Sequence, residues 1–425
     1  MYGLLGKTLS HSHSKSIHEA IRPMDYRLFE SDDLDTFFIK TPFQGINVTI
    51  PYKEAVLDYC DILDDSVKKT QTVNTIITRA GLRFAYNTDY EALKILLHSR
   101  LNPNDNHAFA ILGNGSTMRS VKEALRTLGY EDITIYARHP KENEYPFKAI
   151  KPHHTCLINT TPVGMAPNTS ATLPIDIDVF PNLMLVFDVI YNPIRTQLLL
   201  DAEERNIPTM NGLQMLVLQA YLSNQLFFNT TYPLDTVKTI YKTIFLNTTN
   251  LTFIGLPFSG KTTYAKHLGN RLNKSFIDID RHIEKTEKKT VQAIFNTDGE
   301  AHFRQLEHDA IIDISQAHNT IISPGGGIVM NERAMRAIKQ NSLVLYLNLH
   351  DPLMRTIRFH SRPHVKTKDD LVALKEIRHP LYLKYADMII EKDTLDYDVI
   401  TERIEVEIHD YINHQWTELK SPRNT

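Results

Sequence analysis

The chain has 425 residues, enough for two or three domains, and its 42% hydrophobic and 23% charged content is ordinary for a globular protein. The net charge of −3 gives no reason to expect nucleic acid or a membrane surface as a partner, and no apolar run reaches the roughly 18 residues of a membrane span. Cys60 and Cys156 are too few for a disulfide framework, so a cytoplasmic protein is expected.

The first hundred residues carry four short polar motifs between predicted strands and helices. Residues 2–5 predict a strand, and a hydroxyl-rich segment then leads into a helix from Ser16. Residues 45–53 read G-I-N-V-T-I-P-Y-K, which predicts a strand as far as Ile50, where Pro51 ends it. V-N-T at 73–75 and N-T-D at 87–89 are ordinary turns when each is taken alone.

In order and spacing, these motifs resemble the substrate-binding domain of shikimate dehydrogenase. The resemblance implies that a small polyol acid is held by Ser12, Ser14, Thr49, Asn74 and Asp89. It also implies that Lys53 and Asp89 are the catalytic pair. The chemistry fits, because an ammonium stabilises the negative charge that hydride transfer places on a ketone oxygen and can donate the proton. A neighbouring carboxylate would hold the lysine in position and charged.

A second unit is predicted from a strand at 108–112 followed by a glycine turn and a helical pattern. The turn is typical of dinucleotide binding, although Ser116 and Thr117 replace the glycine and alanine that the family usually shows. The cofactor-binding residues are expected to be Gly113, Asn114, Gly115, Ser116 and Thr117. Arg138 follows the next strand, where NAD enzymes carry an acid, so NADP(H) is the expected cofactor.

Three further motifs extend the resemblance to residue 246: N-T-T-P-V-G-M at 159–165, D-V-I-Y-N-P at 188–193 and N-G-L-Q-M-L-V at 211–217. The resemblance assigns Tyr191 and Gln219 to the substrate, and Val189, Gly212 and Met215 to the nicotinamide end. We therefore expect a substrate-binding domain at 1–100 and a Rossmann-type domain at 101–246, whose last helices may pack back on the first. Residues 247–250 are predicted to be a short linker.

The third unit begins with G-L-P-F-S-G-K-T at 255–262, a phosphate-binding loop. A predicted strand at 251–254 and a predicted helix at 263–272 give the motif its usual context. Lys261 is expected to reach the β/γ-phosphates of ATP and Thr262 to bind Mg²⁺. The other predicted nucleotide contacts are Ser259, Gly260 and Thr263.

The motifs after this loop resemble shikimate kinase: D-x-D at 278–280, F-R-x-x-E at 303–307, G-G-G at 325–327, an R-x₆-R-P lid at 355–363 and R-x-P-L-Y at 378–382. The resemblance implies that the sugar acid is held by Asp280, Arg304, Gly326 and Arg378. Asp278 would support Mg²⁺ through water, Arg362 would meet the transferring phosphoryl group, and Arg355 would lie against adenine. Asp280 is also expected to orient or deprotonate the attacking hydroxyl. Phe258 departs from the pattern, because it replaces a glycine common in the family.

Together the resemblances imply an α/β chain with a parallel sheet in the kinase domain and two activities. The first half would reduce 3-dehydroshikimate to shikimate with NADPH, and the second would phosphorylate shikimate with MgATP. Two alternatives stay open. One is a quinate or broad polyol dehydrogenase joined to a kinase, and the other is a fusion in which one inactive half serves as a binding module.

Overall fold

The computed structural model describes residues 1–9, 12–102, 105–354 and 367–420, and these residues form three β-sheets flanked by helices. Strands and helices alternate along most of the chain, so the predicted α/β class is confirmed. Among the helices in these ranges, none combines the length and apolar composition needed to cross a membrane.

The first sheet is mixed. Its strands are β1 (Tyr2–Gly6), β2 (Tyr26–Glu30), β3 (Gly45–Val48), β4 (Ile62–Leu63), β5 (Thr75–Arg79) and β6 (Leu82–Tyr86). They lie in the order β2-β1-β3-β5-β6-β4. The helices of this region are α1 (Ser14–Ile21), α2 (Leu34–Lys40), α3 (Asp65–Thr70) and α4 (Thr88–Arg100), with a 3₁₀ turn at Ala55–Tyr59. β3 ends before Ile50, which is 65% exposed and precedes Pro51, a residue with no N–H for a strand ladder.

The second sheet is parallel throughout. Its strands are β7 (Phe109–Leu112), β8 (Ile133–Ala137), β9 (Tyr145–Pro146), β10 (Cys156–Asn159), β11 (Leu185–Asp188) and β12 (Thr209–Met210). They lie in the order β12-β11-β10-β7-β8-β9. Its helices are α5 (Ser116–Thr127), α6 (Gln197–Glu204), α7 (Leu213–Phe228) and α8 (Asp235–Thr248), with 3₁₀ turns at Phe147–Ala149 and Ile177–Val179. α7 returns to lie against α1 and α4.

The third sheet is also parallel. Its strands are β13 (Asn250–Ile254), β14 (Ser275–Asp278), β15 (Thr320–Ser323), β16 (Ser342–Leu349) and β17 (Met388–Lys392), in the order β14-β15-β13-β16-β17. Its helices are α9 (Lys261–Leu272), α10 (Ile279–Glu287), α11 (Val291–Thr297), α12 (Gly299–Ser315), α13 (Glu332–Asn341), α14 (Asp351–Met354), α15 (Lys368–Tyr385) and α16 (Tyr397–Gln415), with a 3₁₀ turn at Ile328–Met330. This parallel sheet confirms the kinase-type architecture predicted for the region.

The second and third sheets share one apolar core. Ile111 and Phe187 of the second sheet belong to the same cluster of buried side chains as Leu251 and Leu345 of the third. Only Thr249 lies between α8 and β13, so the segment predicted as a linker is divided between the end of a helix and the start of a strand. The two halves therefore sit in close and extensive contact.

Arg195 is the polar centre of this contact. Its side chain is 5% exposed and forms ion pairs with Glu203 of α6, at 3.0 Å, and with Asp387 beside β17, at 2.7 Å. It also donates to the Tyr411 hydroxyl of α16 at 2.6 Å and to the Ser342 carbonyl at 3.0 Å. A single side chain of the second sheet's loops thus binds several elements of the third.

Candidate active sites

A cavity of about 410 Å³ lies between the first two sheets, at the carboxyl ends of β1, β3, β10 and β11. Ligands of open α/β folds bind at such edges, because the loops that follow the strands converge there. Twelve of the predicted site residues line the cavity: Ser12, Ser14, Thr49, Lys53, Asn74, Asp89, Thr117, Val189, Tyr191, Gly212, Met215 and Gln219.

Lys53 and Asp89 meet inside this cavity. Lys53 Nζ lies 2.6 Å from Asp89 Oδ2, and the two side chains are 15% and 10% exposed. Asp89 stands in the first turn of α4, whose N-cap residue Asn87 accepts a hydrogen bond from the Tyr90 N–H. Lys53 is fixed through its carbonyl, which accepts from the Val73 N–H at 2.7 Å. The two side chains thus form a largely buried ion pair between an ammonium and a carboxylate.

A buried network of hydroxyl and amide groups positions Asn74. Its Oδ1 accepts from the Thr88 N–H at 2.7 Å, and its Nδ2 donates to Gln219 Oε1 at 3.4 Å. Ser223 of α7 lies 2.8 Å from Thr75 Oγ1 and 2.9 Å from Thr88 Oγ1, which ties α7 to the first sheet. Our sequence analysis named Thr88 only as part of N-T-D at 87–89, and it missed Ser223, because a hydroxyl residue inside a helix carries no motif of its own.

The far wall of the cavity fits a flat ring of the nicotinamide kind. A Cβ atom on Gly212 would lie 1.9 Å from the Val189 carbonyl oxygen, so only glycine lets these two backbone segments approach so closely. Met215 of α7 lines the same wall. Burial raises the pKa of the nearby Tyr191 hydroxyl, which keeps it a neutral donor.

The glycine turn lies between β7 and α5, as the sequence predicts. Ser116 and Thr117 form the first residues of α5, and no side chain caps this helix among the described residues. The turn is tied to the loop after β8, because Asn114 Nδ2 donates to the His139 carbonyl at 3.0 Å and to Glu144 at 2.8 Å. Arg138 in that loop is exposed. The free helix N-terminus and the exposed guanidinium fit a phosphate-bearing dinucleotide. Glu144 is a feature that the sequence analysis missed.

The phosphate-binding loop joins β13 to α9, which begins at Lys261, two residues before its predicted start. Lys261 Nζ donates to the carbonyls of Gly255 and Leu256, each at 2.8 Å. Ser259 Oγ is buried without a hydrogen-bond partner among the described residues. Phe258 has φ +66°, in the left-handed region that favours glycine, which gives a physical reason for the glycine seen in related loops. The loop fits a polyphosphate.

The predicted magnesium residues lie together at the mouth of this loop. Thr262 Oγ1 is 3.3 Å from Asp278 Oδ2 and 3.2 Å from Ser323 Oγ. Three oxygen-bearing side chains of this type suit Mg²⁺, which prefers oxygen ligands and water. The sequence analysis assigned no role to Ser323, although it ends β15, the strand beside the loop.

The predicted sugar-acid residues converge on the G-G-G segment. Arg304 Nη1 lies 2.8 Å from Glu307 Oε2, and a Cβ atom on Gly327 would lie 2.9 Å from the Arg304 guanidinium. Asp280 Oδ1 stands 3.4 Å from where a Cβ atom on Gly325 would be. Burial raises the pKa of Glu307, and its Oε1 has no hydrogen-bond partner among the described residues. These charges form a compact site for a polar anion.

Arg378 of α15 and Gly326 of the G-G-G segment complete this cluster. Burial raises the pKa of Glu307 and of Tyr382. The positive charge of Arg378 lies close to both groups and partly offsets this rise. The Tyr382 hydroxyl donates to the Gly326 carbonyl at 2.6 Å. Arg355 and Arg362, which were assigned to adenine and to the phosphoryl group, lie outside the described residues.

Lys392 is a further cation at the phosphate-binding loop that the sequence analysis missed. It ends β17, is 8% exposed and donates to the Ser259 carbonyl at 3.0 Å. Its Nζ also lies 5.3 Å from the centre of the Tyr264 ring. Burial lowers the pKa of this ammonium.

Known proteins resemble the two parts of the chain separately. The family of the shikimate dehydrogenase substrate binding domain matches residues 4–76, and the shikimate kinase family matches residues 257–408. A shikimate dehydrogenase (NADP(+)) of Clostridium perfringens strain 13 is 30% identical over 57% of this chain and 97% of its own length.

Two solved structures cover the same part of the chain. A chorismate mutase/shikimate 5-dehydrogenase fusion protein from Clostridium acetobutylicum is 30% identical, with a TM-score of 0.52 over 57% of this chain and 96% of that chain. A quinate dehydrogenase from Corynebacterium glutamicum in complex with NAD is 25% identical, with a TM-score of 0.51 over 57% of this chain and 97% of that chain. The chain therefore belongs to the shikimate dehydrogenase family, and its C-terminal part is a shikimate kinase domain.

Proposed function

We propose that the first part of the chain reduces 3-dehydroshikimate to shikimate with NADPH. The observation that carries this proposal is the 2.6 Å contact between Lys53 and Asp89 inside a cavity lined by hydroxyl and amide groups. Those groups suit a substrate with several hydroxyls and a carboxylate, and the substrate-binding set is Ser12, Ser14, Thr49, Asn74, Tyr191 and Gln219. The family of the relatives supports the same substrate class.

In this reaction the ketone carbon gains a hydride, which NADPH supplies when bound, and the ketone oxygen gains a proton. Lys53 stabilises the developing charge on that oxygen and donates the proton. Asp89 keeps the ammonium oriented through the ion pair. Val189, Gly212 and Met215 form the wall for the nicotinamide, and the Gly113–Thr117 turn with Arg138 receives the phosphates of NADPH.

The C-terminal part phosphorylates the 3-hydroxyl of shikimate with MgATP. Asp280 orients that hydroxyl and accepts its proton, while Arg304, Arg378 and the Gly326 segment hold the sugar acid. Ser259, Gly260, Lys261 and Thr263 bind the phosphates, and Thr262 and Asp278 hold Mg²⁺. The observation that supports this assignment is the convergence of Asp280, Arg304 and Glu307 beside the phosphate-binding loop.

We assign the activities to a substrate-binding domain at 1–100, an NADP-binding domain at 101–246 and a kinase domain at 251–425. The product of the first reaction is then the substrate of the second, within one chain.

Two initial-rate assays on the full chain test the proposal: NADPH formation from NADP⁺ with shikimate, and ADP release from MgATP with shikimate. We expect Lys53→Ala to lower dehydrogenation by about 10²-fold or more and to leave ADP release intact. Asp280→Asn should do the reverse, so each variant is the folding control for the other. Near-full turnover in either variant would remove that residue from the mechanism.

The same assays separate the alternatives. A higher kcat/KM for quinate than for shikimate would favour a quinate dehydrogenase, an activity named for one structural neighbour. Absence of one activity in the wild type, with binding of its substrates retained, would identify that half as a binding module.

A further inference from the structure

Three metal-binding side chains meet at the edge of the second sheet opposite the glycine turn. Asp132 directly precedes β8, and His153 and His154 shortly precede β10. One ligand atom from each residue lies within 4.8 Å of the other two. We propose that Asp132, His153 and His154 form a binding site for a divalent transition metal ion, Zn²⁺ in particular.

The buried member, His154, points to a ligand. Its side chain is 0% exposed, and its Nδ1 has no hydrogen-bond partner among the described residues. Leaving such a group buried and unpaired is unfavourable, so nearly all buried polar groups are satisfied in folded proteins. A metal ion on Nδ1 would satisfy it.

The other nitrogen of His154 is already placed as metal sites require. Nε2 lies 2.9 Å from the Tyr136 hydroxyl, whose oxygen also accepts the Lys151 N–H at 3.3 Å. When Nε2 carries the proton and donates it to that oxygen, the lone pair is on Nδ1. Metal-bound histidines usually donate their second N–H to an oxygen in this way, which fixes the ring and its tautomer.

His153 and Asp132 give the site its access to solvent. Their side chains are 47% and 53% exposed, and His153 Nε2 lies 3.6 Å from Asp132 Oδ2. The His153 ring covers the ring of His154, with 4.0 Å between their centres. An ion can therefore enter through a small rotation of an exposed side chain. Two imidazoles and one carboxylate leave a fourth position for water, a set that suits tetrahedral Zn²⁺.

The carboxylate of Asp132 supplies the negative charge that a divalent cation needs beside two neutral imidazoles. The strands run from this edge of the sheet toward the catalytic cavity. The ion would therefore hold together the two loops that precede β8 and β10, and it would take no part in the reactions.

The test uses the untagged full chain after treatment with a chelator. Zn²⁺ is titrated in competition with a chromophoric chelator, and Co²⁺ is added to detect the visible absorption of tetrahedral coordination. The variants are Asp132→Asn and His153→Gln, whose side chains are exposed and so preserve folding, with His409→Gln, an exposed histidine of α16, as the control.

We expect the wild type and His409→Gln to bind one Zn²⁺ that the two site variants bind at least about 10-fold more weakly. Zn²⁺ should raise the melting temperature of the wild type and of His409→Gln, because an ion that binds only the folded state stabilises it. It should not raise the melting temperature of Asp132→Asn or His153→Gln. Tyr136→Phe should weaken binding while keeping one equivalent. Equal Zn²⁺ stoichiometry and affinity in all the proteins would overturn the proposal.

Discussion

Lys392 binds a single peptide group of the phosphate-binding loop. Its ammonium contacts the Ser259 carbonyl, which shares a peptide with the Gly260 N–H of the phosphate-binding loop. A cation on the carbonyl oxygen polarises that peptide and makes its N–H a stronger donor toward phosphate. Burial lowers the pKa of Lys392, which marks its ammonium as a cation in a poorly solvated place.

We expect Lys392→Met to weaken ADP binding by about 10-fold, the loss typical of one charge-assisted hydrogen bond. Adenosine binding and dehydrogenation should be unchanged, because adenosine carries no phosphate. Isothermal titration with both ligands measures the effect, and Lys384→Met on the exposed side of α15 is the control. Equal losses for ADP and adenosine would show that Lys392 serves packing alone.

Arg138 should set the cofactor preference of the dehydrogenase. Its exposed guanidinium follows β8, in the loop that Asn114 ties to the glycine turn. Glu144 is already engaged by Asn114 and by the Lys141 N–H, so its carboxylate is held on the loop. We expect Arg138→Asp to lower the NADPH/NADH ratio of kcat/KM at least about 10-fold, by loss of the bidentate contact to the 2′-phosphate.

Steady-state rates with both cofactors check this expectation. Arg126→Asp, on the exposed face of α5, is the control for a simple change of charge. Equal kcat/KM for NADPH and NADH in the wild type would contradict the role assigned to Arg138.

Among the elements, the junction of α8 with β13 depends on Lys274. Its Nζ donates to the carbonyls of Leu246 and Thr249 and to Asn319 Oδ1, joining the end of α8 to β14 and β15. Burial lowers the pKa of this lysine from 10.5 to about 8. The unfolded chain therefore keeps this proton up to higher pH than the folded chain does.

It follows that the contribution of Lys274 to the free energy of unfolding rises with pH between about 8 and 10.5. Urea unfolding at about pH 7.5, below that window, and at about pH 9.5, within it, should show the wild type gaining about 2 kcal/mol of stability relative to Lys274→Met. Lys266→Met, an exposed lysine of α9, should follow the wild type. A difference between wild type and Lys274→Met that does not change with pH would refute the assignment.

At the scale of the whole molecule, Arg195 joins the dehydrogenase to the kinase. Its removal would leave Asp387, which is 7% exposed, and Glu203 without their main cation. Breaking a buried ion pair in this way costs about 3–5 kcal/mol. We expect Arg195→Met to lower the melting temperature, and both activities to be lost together on heating, because the two sheets share one core.

The matched control is Arg205→Met, which removes an exposed pair with Asp178 and should change stability by less than about 1 kcal/mol. Calorimetry and residual activity after heating measure both variants. Loss of only one activity in Arg195→Met, or an unchanged melting temperature, would show that the halves are thermodynamically independent.

The sequence alone determined the features that are local in the chain. The phosphate-binding loop, the glycine turn and the G-x-N-V-T-x-P-x-K segment each lie within a few consecutive residues, between a strand and a helix or a turn. Their backbone is set by nearby glycines, prolines and apolar periodicity, so the α/β class and both families could be predicted. The ends of elements were less certain, as the early end of β3 and the early start of α9 show, because hydrogen bonding and burial decide where an element stops.

Only the tertiary structure decided which distant residues meet. Ser323 reaches Thr262 because β15 lies beside β13, and Lys392 reaches Ser259 from the last strand of the sheet. Arg195 contacts Asp387 across 192 positions of sequence. Asp132 lies near His153 because β8 and β10, the strands that follow them, flank β7 in one sheet. None of these contacts has a pattern within a short window of sequence. Sheet order and the packing of shared apolar faces create them, and these are properties of the folded chain as a whole.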